Sequence, residues 1–292
     1  MLGAEVYSKA MEGLLESLQS LSGQVTKLVK RLASYSKLLS DPVNNVHERG
    51  EVLVDVRRLL AAFPAGDVKQ RVEDWLAEES AAVEQARAEF KFEFGRQLVV
   101  GLEGSGLAVK GQLPLLRVGL FTLRMDFDSG SATVFWGPEI EKVKSGLKPA
   151  PAELARTLRA YNERLKQKAV EPEKLARLIH TAFRRLCLFG GLAEGTRVFL
   201  LDLLAEMVLL LQPEKFKLNP AQERFVEYPR IRFSYDLFRL KQAGMFEVGG
   251  DRMKLHVANF DATTEKAKAL WVPDNEEGDG THYSYVSFVK GN

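Results

Sequence analysis

Few residues of this sequence are of the kinds that build catalytic or metal centres. Its 292 residues include one cysteine, Cys187, and four histidines. A single cysteine excludes an intramolecular disulfide, and the scattered histidines form neither a zinc-ligand spacing nor a clear partner for a reactive thiol. We therefore expect no catalytic residue, no metal site and no cofactor. We expect Cys187 to be a thiol of the core.

Long apolar runs are also missing. The longest, "VFLLDLLAEMVLLL" at residues 198–211, has fourteen residues and includes Asp202 and Glu206. A helix that spans a bilayer needs about 20 apolar residues, so this run indicates a core helix. The first residues lack the basic and apolar stretches of a secretory signal. These features predict a cytoplasmic protein with no membrane partner.

Charge of one sign is not in large excess. The net charge of +2 gives the whole chain no strong attraction to nucleic acid. The distribution is uneven, because residues 146–192 contain ten Lys or Arg against four Asp or Glu, whereas residues 1–88 contain eleven against thirteen. The second half therefore has a modest basic bias of the kind that DNA-contacting regions show.

The composition, 46% hydrophobic and 27% charged, is typical of a globular protein of two or three structural units. The patterns along the chain predict an α+β fold. We divide it into a helical coiled-coil region at 1–103, a β-meander at 104–147, a basic helical segment at 148–192 and a winged-helix-like module with terminal strands at 193–292.

The strongest pattern is a heptad of apolar residues between residues 5 and 40. Apolar side chains recur at alternating spacings of four and three, which predicts a long helix with one narrow apolar seam. The members are Tyr7, Met11, Leu14, Leu18, Leu21, Val25, Leu28, Leu32, Tyr35 and Leu39. Further helices are predicted at residues 46–62 and from 67 to about 102.

This seam must be covered, either by a return helix of the same chain or by another chain. Both alternatives stay open at the level of sequence. For the second alternative, the predicted oligomerisation residues are Leu14, Leu18, Leu21, Val25, Leu28 and Leu32.

Short alternating runs separated by glycine predict the antiparallel meander over residues 106–137. In residues 120–127, Phe121, Leu123, Met125 and Phe127 alternate with more polar neighbours, so one face of the sheet covers a core. "DSGS" at residues 128–131 is typical of a hairpin turn.

The same meander carries carboxylates that suggest an alternative function. Asp126, Asp128, Glu139 and Glu141, with Lys142 and Lys144, resemble the strand-borne acids of metal-dependent nucleases. The usual acid, any residue, lysine tripeptide is absent, and Asp128 also serves as a turn residue. A nuclease is therefore the less favoured alternative.

Two helices are predicted after the Pro- and Gly-rich joint "SGLKPAPAEL", at residues 152–168 and 172–189. In the second helix Lys174, Arg177, Thr181 and Arg184 are spaced three, four and three, so they share one face. This face is either simply solvated or a phosphate-binding stripe.

The C-terminal segment resembles a winged-helix domain, which has three short helices followed by a hairpin whose loop is the wing. Helices are predicted at residues 196–211, 220–228 and 234–243. The hairpin strands are predicted at 245–248 and 253–260, around "GGDR". Gly244 follows the third helix, and Gly249 and Gly250 permit a tight turn.

This resemblance implies contact with either DNA or protein. In DNA-binding members the third helix enters the major groove, and phosphate contacts fix its position. Asp236, Glu247 and Asp251 weaken the positive field here, and many winged helices bind proteins. For DNA contact, the predicted residues are Lys174, Arg177, Arg184, Arg232, Arg239, Lys241, Arg252 and Lys254.

Together these patterns predict a non-enzymatic interaction or scaffold subunit of a bacterial-type multiprotein assembly. Its expected partner is another protein subunit or a second copy of itself, bound through the coiled coil. Double-stranded DNA is a further expected partner, in DNA processing, chromosome maintenance or phage defence. The alternatives are a metal-dependent nuclease and a winged-helix transcription factor.

Overall fold

The computed structural model describes residues 2–127, 129–193, 195–265 and 268–290. The chain packs into two compact units. The first contains the residues up to Leu98 with two short pieces, Asp126–Ser131 and Lys148–Pro151. The second contains Val99–Met125, Ala132–Leu147 and the chain from Ala152 onward. The mixture of helices and antiparallel sheets confirms the predicted α+β class.

Three helices form the body of the first unit. They are α1 (Leu2–Leu38), α2 (Val46–Ala61) and α3 (Asp67–Leu102), of which the last four residues belong to the second unit. The connections fall at "SDPVNN" and "FPAGD", where proline disfavours helix at the preceding residue. Apolar residues of the three helices are buried together: Leu28, Tyr35, Val46, Leu53, Val56, Leu60, Leu76, Val83, Phe90 and Phe94.

A buried polar contact joins these helices. The guanidinium of Arg49 donates to the hydroxyl of Tyr35 at 3.1 Å and forms a salt bridge of 3.1 Å with Glu79. The hydroxyl of Tyr35 also donates to Glu79. Because an unpaired charge is costly inside a protein, this network fixes the packing of α1 on α2 and α3.

The first sheet is a five-stranded antiparallel meander. Its strands, in sequence order, are β1 (Val109–Gln112), β2 (Leu115–Val118), β3 (Phe121–Asp126), β4 (Ser131–Trp136) and β5 (Glu141–Leu147). Phe121, Leu123 and Met125 are buried on β3 as the alternation predicts, but Leu120 and Thr122 of the opposite face are buried as well. The expectation that only one face of the sheet covers a core is therefore wrong at this end of β3. Strand β5 is an edge strand whose lysines are exposed, a usual protection of sheet edges.

Helices follow the meander. They are α4 (Pro151–Lys168), α5 (Pro172–Gly190), α6 (Leu200–Leu210) and α7 (Glu214–Leu218), and the short strand β6 (Val198–Phe199) precedes α6. Helix α5 ends at Gly191, whose φ of 60° is the left-handed conformation that glycine adopts without strain.

The C-terminal part builds the second sheet. Its elements are α8 (Arg230–Gln242), β7 (Glu247–Val248), β8 (Asp251–Val257), α9 (Phe260–Thr264), β9 (Leu270–Pro273) and β10 (Gly280–Lys290). The strand order is β6-β10-β8-β7, and β9 also pairs with β10. A helix followed by a hairpin is confirmed, because Val248 pairs with Asp251 around Gly249 and Gly250. Asp251 and Arg252, which the sequence pattern predicts in the loop, belong instead to strand β8, and Phe260 begins a helix.

The predicted helix at residues 220–228 is wrong. Only Gln222–Arg224 forms a single 3-10 turn there, and Phe225 and Val226 are exposed. Pro229 accounts for the break, since a residue that precedes proline is pushed out of the helical region. One of the three helices that the winged-helix interpretation needs is therefore missing, and that interpretation stays a prediction.

Candidate interaction surface

Part of the apolar seam of α1 is not covered by any other described residue of the chain. Every side chain from Met11 to Ser20 is exposed. Leu14 is 60% exposed and Leu18 is 61% exposed. Leu21 is half-buried and Val25 is 40% exposed. We name residues 11–25 the uncovered segment.

The later part of the seam, from Leu28 to Tyr35, packs inside the chain, whereas Leu39 at its end is exposed. Leu28 and Tyr35 are buried, and the ring of Tyr35 contacts Trp75 edge to face with ring centroids 5.2 Å apart. Arg31 on α1 pairs with Asp55 on α2 at 2.9 Å, and a short connection joins the two helices, so they are antiparallel. Leu28 thus belongs to the intrachain core.

The lengths of the helices explain where the cover ends. Helix α1 has 37 residues and α2 has 16, so 37 − 16 = 21 residues of α1 extend beyond its antiparallel partner. At 1.5 Å per residue this excess is about 30 Å long. The predicted oligomerisation set therefore separates into two groups. Leu14, Leu18, Leu21 and Val25 lie in the uncovered segment, whereas Leu28 is buried and Leu32 is half-buried in the chain's own packing.

Two exposed apolar residues beside the seam were not among the predicted oligomerisation residues. Leu15 is 51% exposed and Val29 is 58% exposed. Each directly follows a seam residue, which widens the apolar stripe on one side. An apolar residue directly after a seam position indicates a wider apolar stripe. A strict heptad pattern does not include such a residue, because it considers only the a and d positions.

The predicted DNA-binding residues separate into different surroundings. Lys174, Arg177 and Arg184 are exposed along α5, as their spacing predicts. Arg177 and Arg252 line one cavity of ≈ 480 Å³, together with Glu173 and Glu247. The charges of two positive and two negative side chains cancel there, so the cavity attracts a phosphate backbone only weakly.

Helix α8 is covered on most of its circumference. Phe233 to Phe238 are all buried, and Leu240 is buried as well. Its basic side chains bind within the protein. Arg232 donates to the carbonyl oxygen of Lys168, Arg239 donates to that of Val170 at 3.4 Å, and Lys241 pairs with Asp274. A helix with these contacts presents little free surface to a DNA groove.

The strand that follows the predicted wing is inside the second sheet. Strand β8 pairs with β7 over two residues and with β10 over most of its length. Arg252 and Lys254 are exposed on β8. A phosphate contact by these two side chains stays a prediction.

The carboxylates proposed for a nuclease are used in other contacts. Glu139 pairs with Arg124, and Glu141 pairs with Arg230 at 2.6 Å. Asp126 accepts a hydrogen bond from the backbone N–H of Ser129 at 3.0 Å. Asp128 lies outside the described residues. In the described part of the chain, no three His, Cys, Asp or Glu side chains form a group that could hold a metal ion.

The cysteine and histidines also show no activated nucleophile. Cys187 is half-buried on α5 rather than inside the core, and burial raises the pKa of its thiol. A raised pKa leaves less of the reactive thiolate at neutral pH. His180 is 2.9 Å from the carboxylate of Asp251 and packs against Phe288, two full helical turns before Cys187.

Comparisons with known proteins return no relative. No protein-family model, curated protein or solved structure matches this chain. Among the described residues, no helix combines the length and the apolar character needed to cross a membrane.

Proposed function

We propose that this chain is a non-enzymatic interaction subunit that assembles through the uncovered segment of α1. The observation that carries the proposal is the exposure of Leu14 and Leu18 on a seam that is buried farther along, at Leu28 and Tyr35. Exposed apolar side chains at heptad spacing gain about 25 cal/mol for each Å² that a partner removes from water. Large apolar patches on soluble proteins are commonly interaction sites.

The proposed partner is the same segment of a second copy. In a heptad, the positions that flank the seam select partners through charge. In the uncovered segment the flanking residues are Leu15, Ser17, Ser22 and Gln24. None of the four carries a charge, so no like-charge repulsion opposes self-pairing and no charge pattern specifies a different helix. Glu12 and Glu16 lie away from the seam and keep the outer face polar.

The test replaces Leu14 and Leu18 together by aspartate. Both side chains are exposed in the single chain, so we expect the fold to persist while an unpaired charge in the paired seam costs several kcal/mol. Association should weaken by at least about a hundredfold, since 1.4 kcal/mol corresponds to a factor of ten. Sedimentation velocity over a range of concentrations measures this change.

The matched control is Val54→Asp. Val54 is 58% exposed on α2, outside the seam, so this variant adds a carboxylate to an apolar surface position without touching the proposed contact. It should associate like the unchanged protein. If the Leu14 and Leu18 variant keeps its association, or if both variants lose it equally, the uncovered segment is not the interface.

DNA contact stays a second prediction. Arg177 and Arg252 support it by lining the same cavity, and Lys174 on α5 and Lys254 on β8 are exposed. Glu173 and Glu247 beside these arginines reduce the attraction to phosphate, and helix α8 is mostly covered. DNA contact is therefore less well supported than self-assembly.

A further inference from the structure

A cavity of ≈ 660 Å³ lies between the meander, helix α4 and the start of α8, within the second unit. Helix α4 contributes one face to it. Tyr161, Arg164, Leu165 and Lys168 are spaced three, one and three, so all four point to the same side of the helix. We name this space the cationic cavity.

Its charge is strongly unbalanced. The positive side chains that line it are Lys142, Arg164, Lys168 and Arg232. Among the lining residues, all of which are described, Glu227 is the single carboxylate, so the side chains sum to +4 − 1 = +3. The four cations form no salt bridge with any described carboxylate.

Arg232 lines the cavity, and its guanidinium already makes contacts within the protein. One of its terminal nitrogens donates to the carbonyl of Lys168, and its guanidinium carbon is 5.4 Å from the ring centroid of Tyr228. Its Nε is buried and has no hydrogen-bond partner among the described residues. The positive charge of Lys142, Arg164 and Lys168, which form no salt bridge with a described carboxylate, favours an anion as the ligand of this cavity.

The remaining lining is apolar and partly aromatic. Phe121, Tyr161, Leu165, Phe225 and Ile231 all line the cavity. Phe225 is 42% exposed although it is a large aromatic residue, and it packs against Phe216 on one side. Small-molecule sites are usually apolar cavities of about 300–1,000 Å³ with a few polar groups that fix orientation. The size and the composition of this cavity fit that description.

We propose that the cationic cavity binds a small organic anion in which phosphate or carboxylate groups are attached to a flat apolar body, in the size class of a nucleoside phosphate. The cations hold the anionic group, since Arg and Lys are the usual partners of phosphate and carboxylate. The flat body lies against Tyr161 and Phe225, where stacking on an aromatic ring adds to the affinity. This proposal does not depend on the assembly of α1.

The experiment titrates the intact chain with two fluorescent probes at low salt. The N-methylanthraniloyl ester of ATP represents organic phosphates, and anthranilate represents aromatic carboxylates, so the pair distinguishes the two anion types. We expect saturable binding of at least one probe. The corresponding unlabelled anion should displace the probe, whereas inorganic phosphate and adenosine alone should displace it poorly, because each lacks half of the recognised features.

The variant that tests the site is Arg164→Glu with Lys168→Glu. Both side chains are exposed on α4, and we expect binding at least about tenfold weaker. The matched control, Arg156→Glu with Lys30→Glu, makes the same charge change at exposed positions outside the cavity and should bind like the intact chain. If the glutamate variant loses its circular dichroism spectrum, Arg164→Gln with Lys168→Gln replaces it, and the same weakening is expected.

Three results would overturn the proposal. One is the failure of both probes to bind at about 1 mM, the weak limit of specific recognition. Another is equal weakening in the cavity variant and in its control, which would indicate a general charge effect. The third is displacement by a short single-stranded oligonucleotide at lower concentration than by any small anion, which would indicate a nucleic-acid groove instead.

Discussion

Asp236 is a charged type of residue in a position where the chain excludes water. It lies on α8 and is completely buried. Its carboxylate accepts hydrogen bonds from the hydroxyl of Tyr228 at 2.7 Å and from the backbone N–H of Val170 at 3.1 Å. Burial raises its pKa to about 6, although these hydrogen bonds and the charges of Arg232 and Arg239 act in the opposite direction. The sequence pattern had suggested instead that Asp236 weakens the field of a DNA-binding face.

This shift predicts a pH dependence of stability. Because the pKa of Asp236 is higher in the folded chain than its ordinary value of 3.8, the folded state binds a proton more strongly than the unfolded state does. The stabilisation is therefore complete below about pH 4 and is lost as the pH rises through about 6. A shift of about two units corresponds to roughly 3 kcal/mol.

Urea unfolding of the unchanged chain and of Asp236→Asn, compared between pH 4 and pH 7, isolates this contribution. The difference in the free energy of unfolding between the two proteins should change by roughly 3 kcal/mol over that interval, since asparagine does not titrate. Parallel pH profiles would show that Asp236 has an ordinary pKa and that its burial is not the cause of the dependence.

Among the elements, α1 illustrates what the sequence determines. The heptad predicted one long helix, and Leu2–Leu38 confirms it. Periodicity cannot show which half of a seam is covered, because that depends on where the return helix ends. The predicted lengths of the two helices indicate that part of the seam stays uncovered, since the return helix predicted at residues 46–62 is much shorter than the seam.

Other elements had weaker sequence signals. Strand β5, Glu141–Leu147, contains three charged side chains and a glycine, and none of its residues is fully buried. Its sequence therefore has neither the apolar alternation nor the high β-propensity that predicts a strand. The cationic cavity was missed because its cations come from β5, α4 and α8, which only the tertiary fold brings together. The one local signal was the common face of Tyr161, Arg164, Leu165 and Lys168 on α4.

Two glycines inside α1 lead to a prediction about this element. Gly13 and Gly23 are helical, and an added Cβ would meet nothing within 4 Å at either position. Alanine favours a helix over glycine by about 1 kcal/mol per residue. Gly13→Ala with Gly23→Ala should therefore raise the helical signal at 222 nm and slow amide hydrogen exchange in the uncovered segment.

Gly50→Ala on α2 is the comparison for this change. There the added Cβ would lie 2.7 Å from the Nη2 atom of Arg87, so the end of that flexible side chain must move aside before the gain in helix propensity is realised. If the α1 variant loses helical signal while Gly50→Ala does not, the two α1 glycines are in close contact with something in solution and the uncovered segment is packed differently.

For the whole molecule, the decisive feature is the imbalance between a long helix and its short return partner. A net charge of +2 gives no global attraction to nucleic acid, and the acids beside Arg177 and Arg252 reduce the local attraction further. The uncovered segment, in contrast, combines exposed leucines with uncharged flanking positions. Self-assembly is therefore the central claim of the account.

Sedimentation equilibrium of the unmodified chain, from about 1 to about 100 µM, tests this claim most directly, because mass action links assembly to protein concentration. We predict a mass that rises from that of one chain toward at least that of two over this range. The rise should persist at high salt, since an apolar contact without flanking charges is not screened. The mass of a single chain at every concentration would contradict the account.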